Sequence, residues 1–304
     1  MDTQTLVLIL FYCALIVTAS LAGGLLANRL KLGHTQMQML LSGVGGFMLG
    51  IALFHLLPHS LHLTGSIHAS TNWLALGLMT MFFLIRAFHF HSHEPSASPD
   101  LHEHDHDHDH DHGGHHDHSG HHAPDHVGAH PWGWFGVTVG LGLHTLIDGM
   151  ALGADVAAQV GEPVRWSLFG FSTFLAILLH KPLDAVSITS LMAASGWSAT
   201  WRNIVNIGFA LMCPIGAMAF FLGVQAFGDE HQFIVGCALG FSAGVFLCIS
   251  LGDLLPEVEL HSHHRVQLSL VLLLGLGLAW VIEMTHGHPP RRPPLEIRTS
   301  LPVE

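Results

Sequence analysis

The chain has 304 residues, of which 50% are apolar, 11% are charged and 29 are histidine. Because soluble domains carry about 25% charged residues, this composition predicts an integral membrane protein. The 22 acidic residues outnumber the 10 basic ones, and the sequence lacks a basic patch, which excludes a nucleic-acid partner.

Eight long apolar runs divide the chain. Only helices or closed barrels satisfy their backbone hydrogen bonds in hydrocarbon, and these runs are too continuous for alternating barrel strands. The first run follows a start without Lys or Arg and is long enough to span a bilayer, so we expect a retained helix rather than a cleaved signal. The sequence therefore predicts an all-α membrane protein with eight transmembrane helices, called spans one to eight, over residues 6–26, 37–61, 73–88, 134–157, 167–194, 204–227, 233–258 and 266–284.

One long polar segment, residues 91–130, separates the membrane regions 1–90 and 131–286, and a short polar tail follows at 287–304. The segment holds nine acidic residues and contains the alternating run HEHDHDHDHDH. Its composition cannot bury enough apolar area to offset the chain entropy, so we expect a disordered loop. Imidazoles and carboxylates at this density are expected to bind divalent metal ions, at His102, His104, His106, His108, His110 and His112.

Basic residues near the span ends predict the orientation. Cytoplasmic loops are rich in Lys and Arg. One side of the predicted bundle carries five such residues near its span ends and the other carries only Arg165, although three arginines in the tail oppose this bias. We therefore expect a multi-pass protein of the plasma membrane with its N-terminus outside and the His-rich loop in the cytoplasm.

A short motif occurs twice. Gly-Phe-x-x-Gly followed by Leu-Leu-Pro is found at 46–58 in span two and at 240–256 in span seven, with unequal gaps. These spans cross the membrane in opposite directions. The repeated motif therefore indicates a candidate inverted repeat, in which spans one to three and six to eight flank spans four and five. A 3+2+3 layout of this kind is typical of secondary transporters.

Spans four and five carry the constellation that points to chemistry. His144 and Asp148 lie four residues apart in span four, and His180 and Asp184 repeat this spacing in span five. Residues four apart share a helix face, so two adjacent helices would surround one divalent ion with two nitrogens and two oxygens, as zinc accepts. Hydrogen bonds that merely stabilise the helix pair are the alternative, but carboxylates at bilayer depth cost about 2.5 to 3.5 kcal/mol each.

Further polar residues flank this centre. Lys181 places an ammonium beside the ligand set, where it competes with a cation for negative charge. Asp155 extends the stripe of span four and, with His55 and His59 of span two, forms a candidate entrance. The candidate exit consists of Asp253, Glu257 and His261. Each of these residues could instead be an ordinary side chain at the membrane interface.

The motifs HTLIDGMALG in span four and LLHKPLDA in span five resemble the ZIP family of zinc and iron transporters. The resemblance implies outward-facing termini, a His-rich loop after the third helix and a primary metal site at His144, Asp148, His180 and Asp184. Thr145 and Lys181 stand where two-metal members carry second-site residues, so we expect one metal ion per site. The resemblance also implies an elevator-like motion of helices one, four, five and six against the others.

The leading hypothesis is an importer of divalent metal ions, most favourably zinc, in a lipid bilayer. The ion is the substrate; we expect no enzymatic activity and no organic cofactor, and a homodimer is one possible assembly. A cation-diffusion-facilitator exporter is one alternative, although such proteins separate their two metal-binding helices along the chain. An intramembrane zinc hydrolase is another, but four protein ligands leave no open position for water. A metal-buffering protein with a passive anchor is the third.

Overall fold

The computed structural model describes residues 3–26, 34–89, 133–160, 168–260 and 265–286. The His-rich loop and the tail lie outside these ranges. The described residues are almost entirely helical. In chain order the elements are α1 (Thr3–Leu26), α2 (His34–Gly50), a π-helical segment (Ile51–Leu56), α3 (Leu57–Thr64), α4 (Ile67–His89), α5 (Gly133–Gln159), α6 (Phe171–Ala194), α7 (Ala199–Val224), a 3-10 segment (Gln225–Glu230), α8 (His231–Leu260) and α9 (Arg265–His286).

Within the described part of the chain, eight helical segments are long and apolar enough to cross a membrane, which confirms the predicted fold class. The second span joins α2, the π-helical segment and α3 into one crossing, Thr35–Thr64. Large apolar side chains cover the outer surface of the bundle; Leu274 of α9, for example, is 71% exposed. Such a surface suits lipid rather than water.

The third span is longer than predicted. Helix α4 begins at Ile67 rather than at residue 73, because the polar side chains of its first turns lower the hydropathy without opposing a helix. The Thr71 hydroxyl donates to the Ile67 carbonyl at 2.8 Å, and the buried Ser70 hydroxyl lies 3.0 Å from that of Ser60 on α3. These polar groups are satisfied locally, so the helix extends through them.

The helices pack as two groups. Helices α1, α5, α6 and α7 contact one another, most extensively α5 with α7 and α1 with α6, and we call them the site group. Helices α2, α3, α4, α8 and α9 form the flanking group, in which α2 packs on α9 and α4 on α8. The two groups meet mainly where α5 lies against α8. The candidate ligands of spans four and five therefore all lie on one group, close to its boundary with the other.

The π-helical segment precedes a proline. Pro58 has no backbone N–H and its ring disfavours a regular helix over the preceding turn. The chain widens by one residue there, and the N–H of Leu57 bonds to the carbonyl of Ala52. This wider turn contains the buried His55. Short π-helical segments are frequent at functional sites.

Candidate metal centre

Helices α5 and α6 bring the four predicted ligands together. One ligand atom from each of His144, Asp148, His180 and Asp184 lies within 4.8 Å of the others. We call these four residues the central site. The two histidines and Asp148 are buried, and the Asp184 side chain keeps 18% of its surface exposed. The i to i+4 spacing on each helix is what places the four groups on facing surfaces.

The distances suit a small cation. Asp148 Oδ2 lies 3.3 Å from His144 Nε2 and 3.2 Å from His180 Nε2. Asp184 Oδ2 lies 4.0 Å and 3.8 Å from the same two nitrogens. Ligands of tetrahedral zinc at bond lengths of 2.0 to 2.1 Å stand about 3.3 Å apart. The central site is thus close to the size of a four-ligand zinc site and needs only a small movement of Asp184.

Two local features prepare ligand atoms in the central site. His180 Nδ1 lies 2.8 Å from the Ala176 carbonyl, which can only accept, so Nδ1 carries the proton and Nε2 of the neutral ring keeps its lone pair. Asp148 Oδ1 is buried and meets no hydrogen-bond donor among the described residues. Asp148 Oδ1 can therefore bind a cation directly, and the Nε2 lone pair of His180 can exchange its 3.5 Å contact with the Lys181 ammonium for a metal ion.

Lys181 supplies the positive charge that the central site holds. The side chain is completely buried, and its Nζ lies 2.5 Å from Asp148 Oδ2, 3.1 Å from Asp184 Oδ2 and 3.0 Å from the Thr145 hydroxyl. The ammonium thus donates to both carboxylates of the central site. Its burial contradicts the alternative of a lysine that extends to the membrane surface, and Thr145 serves as its third acceptor.

A second polar cluster lies toward the end of the bundle where α5 and α9 end. His55 Nε2 is 2.9 Å from the carboxylate of the buried Asp155, and His55 Nδ1 is 2.6 Å from Glu283 Oε2 on α9. The ring of His59 lies 4.4 Å from that of His55. We call His55, His59, Asp155 and Glu283 the His55 cluster. The three predicted entrance residues are therefore neighbours, and the Asp155 side chain is completely buried.

Sequence reasoning did not single out Glu283. Its one signal was an acidic residue in a mostly apolar eighth span, with His286 three residues later beyond the predicted end of that span. The structure describes the predicted exit residues less completely than the entrance residues. Asp253 and Glu257 belong to α8, but their side chains, like His261 and the loop histidines, lie outside the described part of the chain. Their predicted roles stay predictions.

The chain was compared with known protein families and with curated proteins. The family model described as "ZIP Zinc transporter" matches residues 4–283, which is nearly the whole chain. The chain belongs to the ZIP zinc transporter family. This membership confirms the resemblance drawn from the motifs of spans four and five. With the eight apolar helices, it establishes a multi-pass integral membrane protein.

Individual relatives cover part of the chain. Over 167 residues it is 32% identical to "Zinc transporter ZIP9" of Micropogonias undulatus, a match that covers 50% of this chain and 52% of the relative. It is 29% identical to "Metal cation symporter ZIP14" of Bos taurus over 162 residues, 50% of this chain and 30% of the relative. The chain spans about half the length of the first curated relatives it matches.

These findings bear on the alternatives from the sequence. The ZIP family is one of transporters, in agreement with the prediction that the chain is not an enzyme. Neither an exporter of the cation-diffusion-facilitator type nor an intramembrane hydrolase is favoured by any of the matches.

Proposed function

We propose that the chain transports divalent metal ions, zinc first among them, through the central site. The observation that carries the proposal is the convergence of two imidazoles and two carboxylates from α5 and α6 within 4.8 Å. Zinc accepts four ligands of these types. The names of the relatives, which include zinc transporters and a metal cation symporter, support the same class of substrate.

The central site is proposed to hold one ion at a time. In a two-metal site, further oxygen ligands would stand where Lys181 and Thr145 are found here. The Lys181 ammonium already donates to Asp148 and Asp184, so a second divalent ion would meet a buried positive charge. An incoming ion displaces the ammonium from Asp148 Oδ2, which then becomes a metal ligand.

The direction of transport is proposed to be toward the cytoplasm. The bias of basic residues places the end with the His55 cluster outside, so ions enter past His55, His59 and Asp155. They leave past Asp253, Glu257 and His261 toward the His-rich loop, where six alternating histidines bind them. Location in the plasma membrane, an outward N-terminus and a homodimer remain predictions, as does the absence of an organic cofactor.

Radiotracer zinc uptake into vesicles reconstituted with the full chain tests the proposal. Single replacement of His144, Asp148, His180 or Asp184 by alanine removes one of four ligands, so we expect uptake to fall at least tenfold. The control His68→Ala removes an exposed histidine of α4 and leaves uptake unchanged. Full uptake by the four central-site variants would refute the proposal. It would also be refuted if the protein cleaved lipid or peptide and His180→Ala abolished that cleavage without affecting uptake.

A further inference from the structure

We propose that His55, His59 and Glu283 form a second divalent-cation site, and that Asp155 positions His55 within it. The three ligands come from the second and last spans of the flanking group, whereas Asp155 belongs to α5 of the site group. The cation is thereby held at the boundary between the two groups. Its role as an entrance rests on the proposed function, but the binding of an ion there does not.

The three ligands converge closely enough to share one ion. One ligand atom each from His55, His59 and Glu283 lies within 4.8 Å of the others. His59 Nδ1 is 2.9 Å from the His55 carbonyl, so it carries the proton, and Nε2 of the neutral ring keeps a lone pair. Two imidazole nitrogens and one carboxylate are ligands that zinc and similar divalent ions prefer.

Asp155 orients the first of these ligands. Its carboxylate accepts from the Thr173 hydroxyl at 2.7 Å and from Gln159 Nε2 at 2.7 Å, and it faces His55 Nε2 at 2.9 Å. Held in this way, the carboxylate fixes the Nε2–H of His55 and leaves Nδ1 toward Glu283. A carboxylate behind a metal-binding histidine is the usual support of such ligands.

The contact between His55 and Glu283 calls for a cation. When Nε2 of a neutral ring donates to Asp155, the lone pair of Nδ1 faces Glu283 Oε2 at only 2.6 Å. Two electron-rich atoms are stable at this distance only if a proton or a metal ion lies between or beside them. A metal ion also needs further ligands, and the His59 ring, whose centroid lies 4.4 Å from that of His55, supplies one of them.

The position of the His55 cluster suits an exchangeable ion. The Glu283 side chain is 20% exposed while that of Asp155 is completely buried, so the cluster opens on the Glu283 side. Three protein ligands leave one tetrahedral position for water, which permits exchange. Asp155 and Asp148 lie seven residues apart on nearly the same face of α5, a separation of about 10 Å along the helix. The two sites are therefore distinct and stacked along one helix.

Anomalous scattering from crystals of the full chain equilibrated with zinc tests the inference. We expect one peak within the central site and a second between His55, His59 and Glu283. Glu283→Gln removes the second peak and leaves the first; His59→Ala, which spares the contact between His55 and Asp155, does the same. A second peak absent from the wild type, or unchanged in both variants, would overturn the inference, and a proton would then occupy the His55 cluster.

The two proposals fail separately in this experiment. If only the central peak is missing, the proposed transport site is contradicted and the second site remains supported. If only the outer peak is missing, the second site is contradicted and the transport site remains supported.

Uptake adds a kinetic measurement: Glu283→Gln removes a ligand and should raise the half-saturating zinc concentration by at least roughly tenfold, the loss already typical of a residue that only supports a ligand. Glu230→Gln removes an exposed carboxylate from the same end of the bundle and should leave it unchanged. Equal values for both variants would contradict an entrance role.

Discussion

Lys181 is a permanent positive charge in the middle of a membrane-spanning helix, where charged groups are costly unless paired. It is paired with two carboxylates and a hydroxyl, so the ammonium compensates one of the two negative charges that the central site carries without metal. A transporter must also return without its cargo. Because the ammonium stays in the site, two carboxylates and one ammonium give the empty central site a net charge of −1, rather than the −2 of the carboxylates alone. The smaller charge lowers the cost of that return.

Removal of this ammonium should make folding depend on metal. Lys181→Met leaves the buried Asp148 and the partly buried Asp184 without a cation, and breaking a buried ion pair in this way costs about 3 to 5 kcal/mol. We expect a melting temperature in chelator well below that of the wild type, and a larger rise on addition of zinc. Thermal unfolding of the purified protein with and without zinc measures both.

Ser187→Ala is a suitable control for the Lys181 variant. Its hydroxyl lies on the same helix but is exposed, and among the described residues it bonds only to the Leu183 carbonyl. Its melting temperature should match the wild type in both buffers. If Lys181→Met melted like the wild type in chelator, the ammonium would not stabilise the metal-free central site.

Residue spacing predicted one cluster well and the other only in part. His144, Asp148, His180 and Asp184 were accessible to sequence reasoning because each helix contributes a pair at i and i+4, and consecutive helices are usually neighbours. Glu283 contributes a single side chain from the last span, 228 positions from His55, and no local pattern reveals such a contact. Its position depends on how α9 packs on α2, which is a property of the assembled bundle.

At the scale of elements, close backbone approach at glycine holds α5 against α7. A Cβ atom at Gly149 would collide with the carbonyl of Cys213, so the helices touch backbone to backbone one residue after Asp148. Gly142, two residues before His144 on the same helix, has open space around it. Substitution by alanine raises helix propensity at both glycines but creates a packing collision only at Gly149. The two variants therefore distinguish the effect of packing from that of propensity.

Gly149→Ala should push α5 away from α7 and destabilise the protein. Overpacking of this kind costs about 1 to 3 kcal/mol, and the displaced helix carries two central-site ligands, so uptake should fall as well. Gly142→Ala should keep uptake and leave the melting temperature unchanged or raised, since alanine favours a helix by up to about 1 kcal/mol. Melting and zinc uptake of the two variants provide the comparison; equal behaviour would show that the close approach is not needed.

Some element boundaries were beyond sequence reasoning for the same physical reason. The sequence predicted one continuous second span, and Pro58 marks a break in it, but it does not tell whether the chain kinks or widens into a π-helical turn. The observed turn is selected by packing, because His55 within it reaches both Asp155 on α5 and Glu283 on α9. Tertiary contacts of this kind override local preference.

At the scale of the whole molecule, the helices form two tightly packed groups with a looser boundary. Among the described glycines, those that would collide with a neighbouring backbone contact a helix of their own group, as Gly149 does with α7 and Gly244 of α8 does with α4. Between the groups, the polar contact of His55 with Asp155 joins two side chains. Packed backbones resist sliding, whereas side-chain contacts can break and form again. The site group consists of spans one, four, five and six, so this division fits the elevator-like motion that the family resemblance implies for those spans.

Spin labels can test whether the site group moves as one body. A label at Val160, just after α5, is combined either with one at Gln267 of α9, in the flanking group, or with one at Thr200 of α7, in the site group; all three positions are exposed. The partly exposed native thiol of Cys248 is replaced by alanine, and the other three cysteines are buried.

Because Gln267 and Thr200 both lie near the end of the bundle opposite Val160, the two label pairs span the bundle in the same way. We expect zinc to shift the 160–267 distance by several ångströms and to leave the 160–200 distance unchanged, since only the first pair crosses the boundary between the groups. Equal shifts in both pairs would contradict a rigid site group and would indicate motion within that group. No shift in either pair would contradict a zinc-linked displacement of the two groups.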